Sequence, residues 1–208
     1  MVGEHKRIVR EGYDAIAGKY LAVRNETQPD DIELLYELMQ LLPKGARVLD
    51  AGCGAGVPVT RILSQSFDVI GVDFSEEQIR LAGELVPEAE FICQDITALG
   101  FPDESFDAIC SYYTIIHIPR EEHFGLLRGF YRILKTSGLA LLCMGSGDLP
   151  QDIEEDWFGA RMYWSHFDAD TNLKMMADCG FSIIWSRTIT EQLAFGGGRH
   201  LFILAQKA

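Results

Sequence analysis

The stretch Asp50-Ala51-Gly52-Cys53-Gly54-Ala55-Gly56 sets glycines at every second position directly behind the apolar run Val48-Leu49. Glycine has no Cβ, so the chain can bend sharply there and a ligand can approach the main chain itself. Asp73 lies 21 residues after Gly52, at the end of the apolar run Phe67–Asp73. A carboxylate in that place can accept both hydroxyl hydrogens of a ribose. Ser75 is available to cap the next helix, which leaves Asp73 for a ligand. Asp95 and Ser111 close two further apolar runs and point to the same ligand edge. A pyrophosphate site takes the spacing G-x-G-x-x-G. This chain has G-x-G-x-G headed by Asp50. That carboxylate repels a pyrophosphate and suits a ligand carrying positive charge.

On the opposite partner of any such reaction, the informative segments are Tyr112, Tyr113 and Thr114-Ile115-Ile116-His117-Ile118-Pro119, and the aromatic-rich stretch 145–167. His117 titrates in the range a general base needs. It reads equally as a base or as a packing residue before the next helix. His166 is a weaker candidate on the same grounds. Trp157, Tyr163 and Trp164 suit the lining of a mostly apolar substrate pocket, or else a hydrophobic cover over the sheet, with pocket lining favoured. His123 falls in the first turn of an amphipathic helix, and Cys53 would meet a ligand through its main chain rather than its thiol. No Ser-His-Asp arrangement and no metal-ligand spacing is present, and the five scattered cysteines form neither a disulfide framework nor a CxxC pair.

These residues need elements to hold them. Periodicity predicts helices over about 5–24, 30–42 and 121–135, the last with Phe124, Leu127, Tyr131 and Leu134 as its apolar face. Ser75-Glu76-Glu77-Gln78 reads as a capping box opening another helix, and a further helix over 171–179 stops at Gly180. Short apolar strands are expected at 48–51, 67–73, 89–93, 106–111, 139–144, 181–188 and 200–205. The glycines Gly196-Gly197-Gly198 suggest a hairpin-like return before the last of them. Gly12 and Gly18 weaken the first helix by about 1 kcal/mol each relative to alanine. The alternation of strand and helix predicts an α/β, Rossmann-like, mostly parallel sheet with helices on both faces and an antiparallel edge.

The length of 208 residues fits one domain. Within it, 1–44 reads as an N-terminal helical lid, 45–144 as a cofactor-binding core, 145–167 as a substrate-side insert, and 168–208 as a closing helix and strand pair. The formal charge of −13 disfavours nucleic acid as a partner. With no apolar run long enough for a membrane span and no visible secretory signal, the expected location is cytoplasmic.

The glycine loop, Gly71-Val72-Asp73-Phe74-Ser75, Asp95-Ile96 and Phe101-Pro102-Asp103-Glu104-Ser105-Phe106-Asp107 together resemble the class I S-adenosylmethionine-dependent methyltransferases, in particular the small-molecule type 11 group. Tyr13-Asp14-Ala15-Ile16-Ala17-Gly18-Lys19-Tyr20 is similar to the family's N-terminal helix, which folds over the cofactor. Lys135-Thr136-Ser137-Gly138 departs from the family's usual Lys-Pro-Gly-Gly turn. The resemblance implies a seven-stranded sheet in the order 3-2-1-4-5-7-6 with strand 7 antiparallel. It implies S-adenosylmethionine contacts from Tyr20, Asp50, Gly52, Cys53, Gly54, Asp73, Phe74, Gln78, Asp95, Ile96, Ser111 and Tyr112. Asp73 would hold the ribose, Phe74 would pack on the adenine, and Asp95 would receive its amino group. The acceptor, a small molecule methylated at O, N or C, would meet Tyr113, His117, Trp157, Tyr163, Trp164 and His166. Two other readings stay open at this point: a nicotinamide-dependent oxidoreductase, and an S-adenosylmethionine-binding module without turnover.

Overall fold

The computed structural model describes residues 3–26, 31–190 and 198–208. Seven strands form one sheet: β1 (Arg47–Ala51), β2 (Asp68–Asp73), β3 (Glu90–Cys93), β4 (Phe106–Ser111), β5 (Leu134–Gly145), β8 (Phe181–Thr190) and β9 (Arg199–Lys207). Their order is β3-β2-β1-β4-β5-β9-β8, and β9 runs antiparallel to both neighbours. This is the expected order, with the last two strands renumbered because an extra strand pair precedes them. β1 and β4 are buried along almost their whole length because both faces of the sheet are covered there.

Two cores sandwich the sheet. On one face, Leu34, Leu35 and Leu38 of α2 (Ile32–Leu41) and Val59 and Leu63 of α3 (Val59–Ser64) pack on Val48, Val69 and Leu141. On the other, α5 (His123–Ile133) and α6 (Ala169–Asp178) cover Leu49, Ile109 and Leu142. The buried stripe of α5 is Leu126, Leu127, Phe130 and Ile133, whereas Phe124 is 43% exposed. The stripe is rotated from the expected one, and Leu134 lies outside it, since the helix ends at Ile133 and Leu134 belongs to β5, paired with Phe106. Parallel pairing brings the carboxyl ends of β1, β2, β3 and β4 to one edge, with Ala51 beside Val72 and Asp73 beside Cys93.

The aromatic stretch is a second, two-stranded sheet rather than an irregular insert. β6 (Leu149–Trp157) and β7 (Ala160–His166) pair antiparallel. Phe158 and Gly159 between them both have positive φ, 55° and 97°, the turn hand that matches strand twist. Asp152, Glu154, Glu155 and Asp156 face solvent on β6, so its composition reads as a loop. A third core joins this hairpin to α1 (Glu4–Glu26) through Ile8, Val9, Ile16, Met162 and Tyr163. Gly12 is required here for close approach: a Cβ would stand 2.6 Å from the Arg161 carbonyl oxygen. The expected glycine cost to the helix thus accompanies a helix laid directly on β7. Gly196 and Gly197 lie outside the described residues. Among the described residues, no helix is long and apolar enough to cross a membrane.

Candidate active site

The loop after β1 is held by its neighbours' main chains. Gly52 N–H and Cys53 N–H donate to the Val72 carbonyl at 2.7 and 3.0 Å. Gly52 has φ +83°, and a Cβ on it would overlap the Thr114 side chain. Thr114 Oγ1 itself donates to the Gly52 carbonyl at 3.1 Å, tying the glycine loop to the segment after β4. Gly54 N–H donates to Asp73 Oδ2 and Ser75 N–H to Asp73 Oδ1, each at 3.0 Å. Ser75 Oγ in turn accepts from Gln78 N–H, the cap of α4 (Glu76–Leu85). The box is completed from one side only. The Gln78 side chain is buried, and neither its Nε2 nor its Oε1 meets a hydrogen-bond partner among the described residues.

Three contiguous cavities open at this edge. The first lies between the loop and α1, with Gly52, Asp73, Phe74, Gln78, Asp95 and Ile96 on the sheet side and Lys6, Val9, Tyr13 and Tyr20 from α1. The second continues past Asp50, Cys53 and Tyr112 and shares Gly54 and Gln78 with the first. The third, of 540 Å³, lies against the hairpin and carries Trp157, Trp164, His166, Arg199 and His200. Its size is within the range of about 300–1,000 Å³ usual for small-ligand sites. Tyr20 and Tyr113 line all three, and Tyr13 and His117 line the first and third.

Burial pushes the Asp73 carboxyl up, against the main-chain N–H groups of Ser75 and Gly54 that pull it down. Burial also raises Asp50 to about 7, opposed by the Thr60 hydroxyl, which donates to Asp50 Oδ2 at 2.6 Å. Burial lowers His117 to about 4, so its ring is neutral at physiological pH. Its Nδ1 lies 2.8 Å from the Tyr163 carbonyl, an acceptor only, so Nδ1 carries the proton. Nε2 is therefore the acceptor for the Tyr13 hydroxyl at 3.0 Å. Lys6 of α1 reaches Asp95 Oδ2 at 2.9 Å, Thr97 Oγ1 at 2.7 Å and Glu122 Oε2 at 2.5 Å. Burial would raise Asp95, yet the Thr97 N–H and Lys6 hold it below the usual carboxylate range.

A family model described as a methyltransferase domain matches residues 48–138, the stretch from β1 to the turn before the buried part of β5. Residues 48–138 thus match a methyltransferase domain, and the chain is similar to S-adenosylmethionine-dependent methyltransferases. Over 164 residues it is 34% identical to phosphoethanolamine N-methyltransferase 1 of Arabidopsis thaliana, an alignment covering 75% of this chain and 32% of that protein. It is 37% identical over 109 residues to a 2-methyl-6-phytyl-1,4-hydroquinone methyltransferase of Synechocystis, covering 50% of this chain and 33% of the relative. The chain thus spans about a third of the length of the curated relatives it matches. An S-adenosylmethionine-dependent methyltransferase structure from Methanosarcina mazei superposes with a TM-score of 0.72 at 23% identity, over 82% of this chain and 96% of that one.

The methyltransferase loop fits its cofactor on three observations. Each Asp73 oxygen accepts a main-chain N–H and keeps capacity for a ribose hydroxyl. The orphaned, buried Gln78 amide lines both of the first two cavities. A Cβ on Gly54 would meet only Gln78 Oε1, at 3.7 Å, so the space over that main chain is open for a ligand.

Of the expected cofactor residues, Ser111 is the one the fold turns away. Its hydroxyl donates to the Ala51 carbonyl at 2.8 Å and it lines none of the three cavities, because it ties β4 to β1. On the acceptor side Trp157, Trp164, His166, Tyr113 and His117 come together. Tyr163 does not: its ring is buried, stacked on His5 at 4.3 Å, and only its carbonyl serves the site, through His117. Strand alternation sends it to the face opposite Trp164. His123 is a packing residue, with Nε2 on the Ile118 carbonyl at 3.0 Å. Lys6, Arg199 and His200 were not expected. Lys6 bonds residues 89 and 116 positions away, which no local pattern signals.

Proposed function

We propose that this chain transfers a methyl group from S-adenosylmethionine to an O, N or C atom of a small molecule. The observation that carries the reading is the shared wall of the first and third cavities, where Tyr13, Tyr20, Tyr113 and His117 face both. A donor in one and an acceptor in the other would meet across those residues. Bound S-adenosylmethionine supplies an activated methyl on a sulfonium, displaced in line by the acceptor's lone pair while the sulfur keeps the old bonding pair. The chain's contribution is then chiefly orientation and exclusion of water.

In this reading Asp73 holds the ribose, Phe74 and Ile96 flank the adenine, and Asp95 with Lys6 closes its amino edge. Asp50, in the second cavity, suits the cationic amino group at the amino-acid end. An acceptor hydroxyl that has gained a methyl becomes far more acidic than an imidazolium. Even a His117 near 4 can then take its proton, passed to the Tyr13 oxygen as the Tyr13 proton moves to His117 Nε2. A cytoplasmic small-molecule enzyme is the cellular setting this reading suits.

Titrating S-adenosylhomocysteine and NAD separately by calorimetry distinguishes this from a nicotinamide enzyme; tighter NAD binding would sink it. Conversion of S-adenosylmethionine to S-adenosylhomocysteine, dependent on a member of an acceptor panel, tests turnover. His117→Ala should lower kcat by about 10²-fold while leaving cofactor affinity nearly unchanged. Undiminished turnover on the true acceptor would remove His117 from the chemistry.

A further inference from the structure

The third cavity has a charge pattern unlike the rest of the chain. The sequence holds 31 Asp and Glu against 18 Lys and Arg. Among the described residues, however, no carboxylate lines this cavity, and its one permanently charged group is Arg199. His166 and His200 stand in the same lining.

The lining has two chemistries. From α1 and the hairpin come Tyr13, Tyr20, Trp157 and Trp164, with successive ring centroids 5.4–5.7 Å apart. From the end of β5 and the start of β9 come Ser146, Arg199 and His200. The β9 end is anchored, because Ser146 Oγ donates to the Arg199 carbonyl at 2.7 Å. His166 donates from Nδ1 to the Gly147 carbonyl at 2.7 Å. Tyr113, at φ +56°, turns its ring edge-on to His200 at 5.0 Å.

We propose that the methyl acceptor is a planar aromatic or heteroaromatic molecule bearing one anionic group, its ring against Trp157 and Trp164 and its anion toward Arg199. This rests on reading the third cavity as the acceptor site. Aromatic walls reward a flat ring by edge-to-face contacts. A cationic acceptor would find no carboxylate among the described lining and would share the cavity with a guanidinium. The cation–π alternative needs ring faces to aim at the ligand. Here Tyr13 meets Trp157 at 79° and Trp157 meets Trp164 at 85°, so these rings turn their faces to one another's edges. An aliphatic anion would engage Arg199 and leave the aromatic wall without a partner.

The test compares three probes that share a phenol ring and differ in charge: para-hydroxybenzoate, para-hydroxybenzamide and tyramine. Each is titrated by calorimetry into the protein saturated with S-adenosylhomocysteine. The benzoate should bind about tenfold tighter than the amide, with tyramine weakest. Arg199→Ala should erase that preference without altering S-adenosylhomocysteine affinity, and Arg199→Lys should restore most of it. Trp164→Ala should weaken all three. Equal affinities, tightest binding by tyramine, or a preference that survives Arg199→Ala would overturn the proposal. So would no saturation by any probe up to about 10 mM, or tighter binding by aliphatic phosphoethanolamine than by all three. Failure of S-adenosylhomocysteine itself to bind would strike the cofactor reading together with this one. Normal binding of it with the wrong probe preference strikes the acceptor class alone.

Discussion

Asp50 is a buried carboxyl that accepts from the Thr60 hydroxyl, and the neighbouring charge that acts on it, Asp73, is of its own sign. Its pKa of about 7 exceeds that of an unfolded aspartate, so folding favours its protonated form. That contribution to stability is complete below the unfolded carboxylate range and is lost as pH rises through about 7. A ligand ammonium reverses the balance, since it binds the ionised form. S-Adenosylhomocysteine affinity should therefore fall about tenfold from pH 8 to pH 6, and Asp50→Asn should flatten the profile; a slope unchanged in that variant would exclude Asp50 as the cation's partner. Asp73 carries a different load. It accepts from Gly54 and Ser75 as well as facing the first cavity, so Asp73→Ala removes the proposed ribose bonds and two loop anchors together. The expected loss of cofactor affinity is at least about 10²-fold. Calorimetry giving a Kd close to that of the unmodified protein would refute the ribose assignment.

At the level of elements, α1 is fastened to the cofactor edge at separate points. Lys6 reaches Asp95 and Glu122, Asp14 accepts from Ser75 Oγ at 2.6 Å, and Tyr13 meets His117. A ligand in the first cavity lies beneath these contacts, so its release depends on them. Asp95 and Glu122 are each about a third or more exposed, so solvent screens the pairs and the effect is modest. Lys6→Met should speed S-adenosylhomocysteine release roughly three- to tenfold in stopped-flow displacement, and added salt should do the same to the unmodified protein. A release rate indifferent to both would mean that α1 opens elsewhere. The helix itself, the capping serine and the strands of the main sheet were legible because burial on one or two faces leaves a period in the sequence. The hairpin was not: β6 buries little, and its solvent face is acidic, so its alternation is submerged in charge. Ser111 and Tyr163 failed for a related reason. A strand position fixes which face a side chain takes only once the register is known, and their registers were set by Ala51 and Trp164 across or along the strand.

Across the whole molecule, two cores stabilise the sheet and a third holds the cavities' outer wall. Ile8, Val9 and Ile16 of α1 pack on Met162 and Tyr163 of β7, and neither element is built into the main sheet. That third core is small beside the other two, so its opening should cost less than global unfolding. α1 supplies Lys6, Val9, Tyr13 and Tyr20 to the first cavity, whereas β6 and β7 contribute no residue to it. A ligand that holds α1 closed therefore stabilises the hairpin only through the packing between them, including the Gly12 contact with Arg161. Hydrogen exchange measured with and without saturating S-adenosylhomocysteine separates these links. In the free protein, α1 and β6–β7 should exchange well before β1, β4 and β5. With the ligand bound, protection should rise in α1 and also in β7, in proportion, although β7 does not touch the first cavity. Protection confined to the residues lining that cavity would show that α1 and the hairpin open independently, and that the donor and acceptor sides are not coupled through the third core.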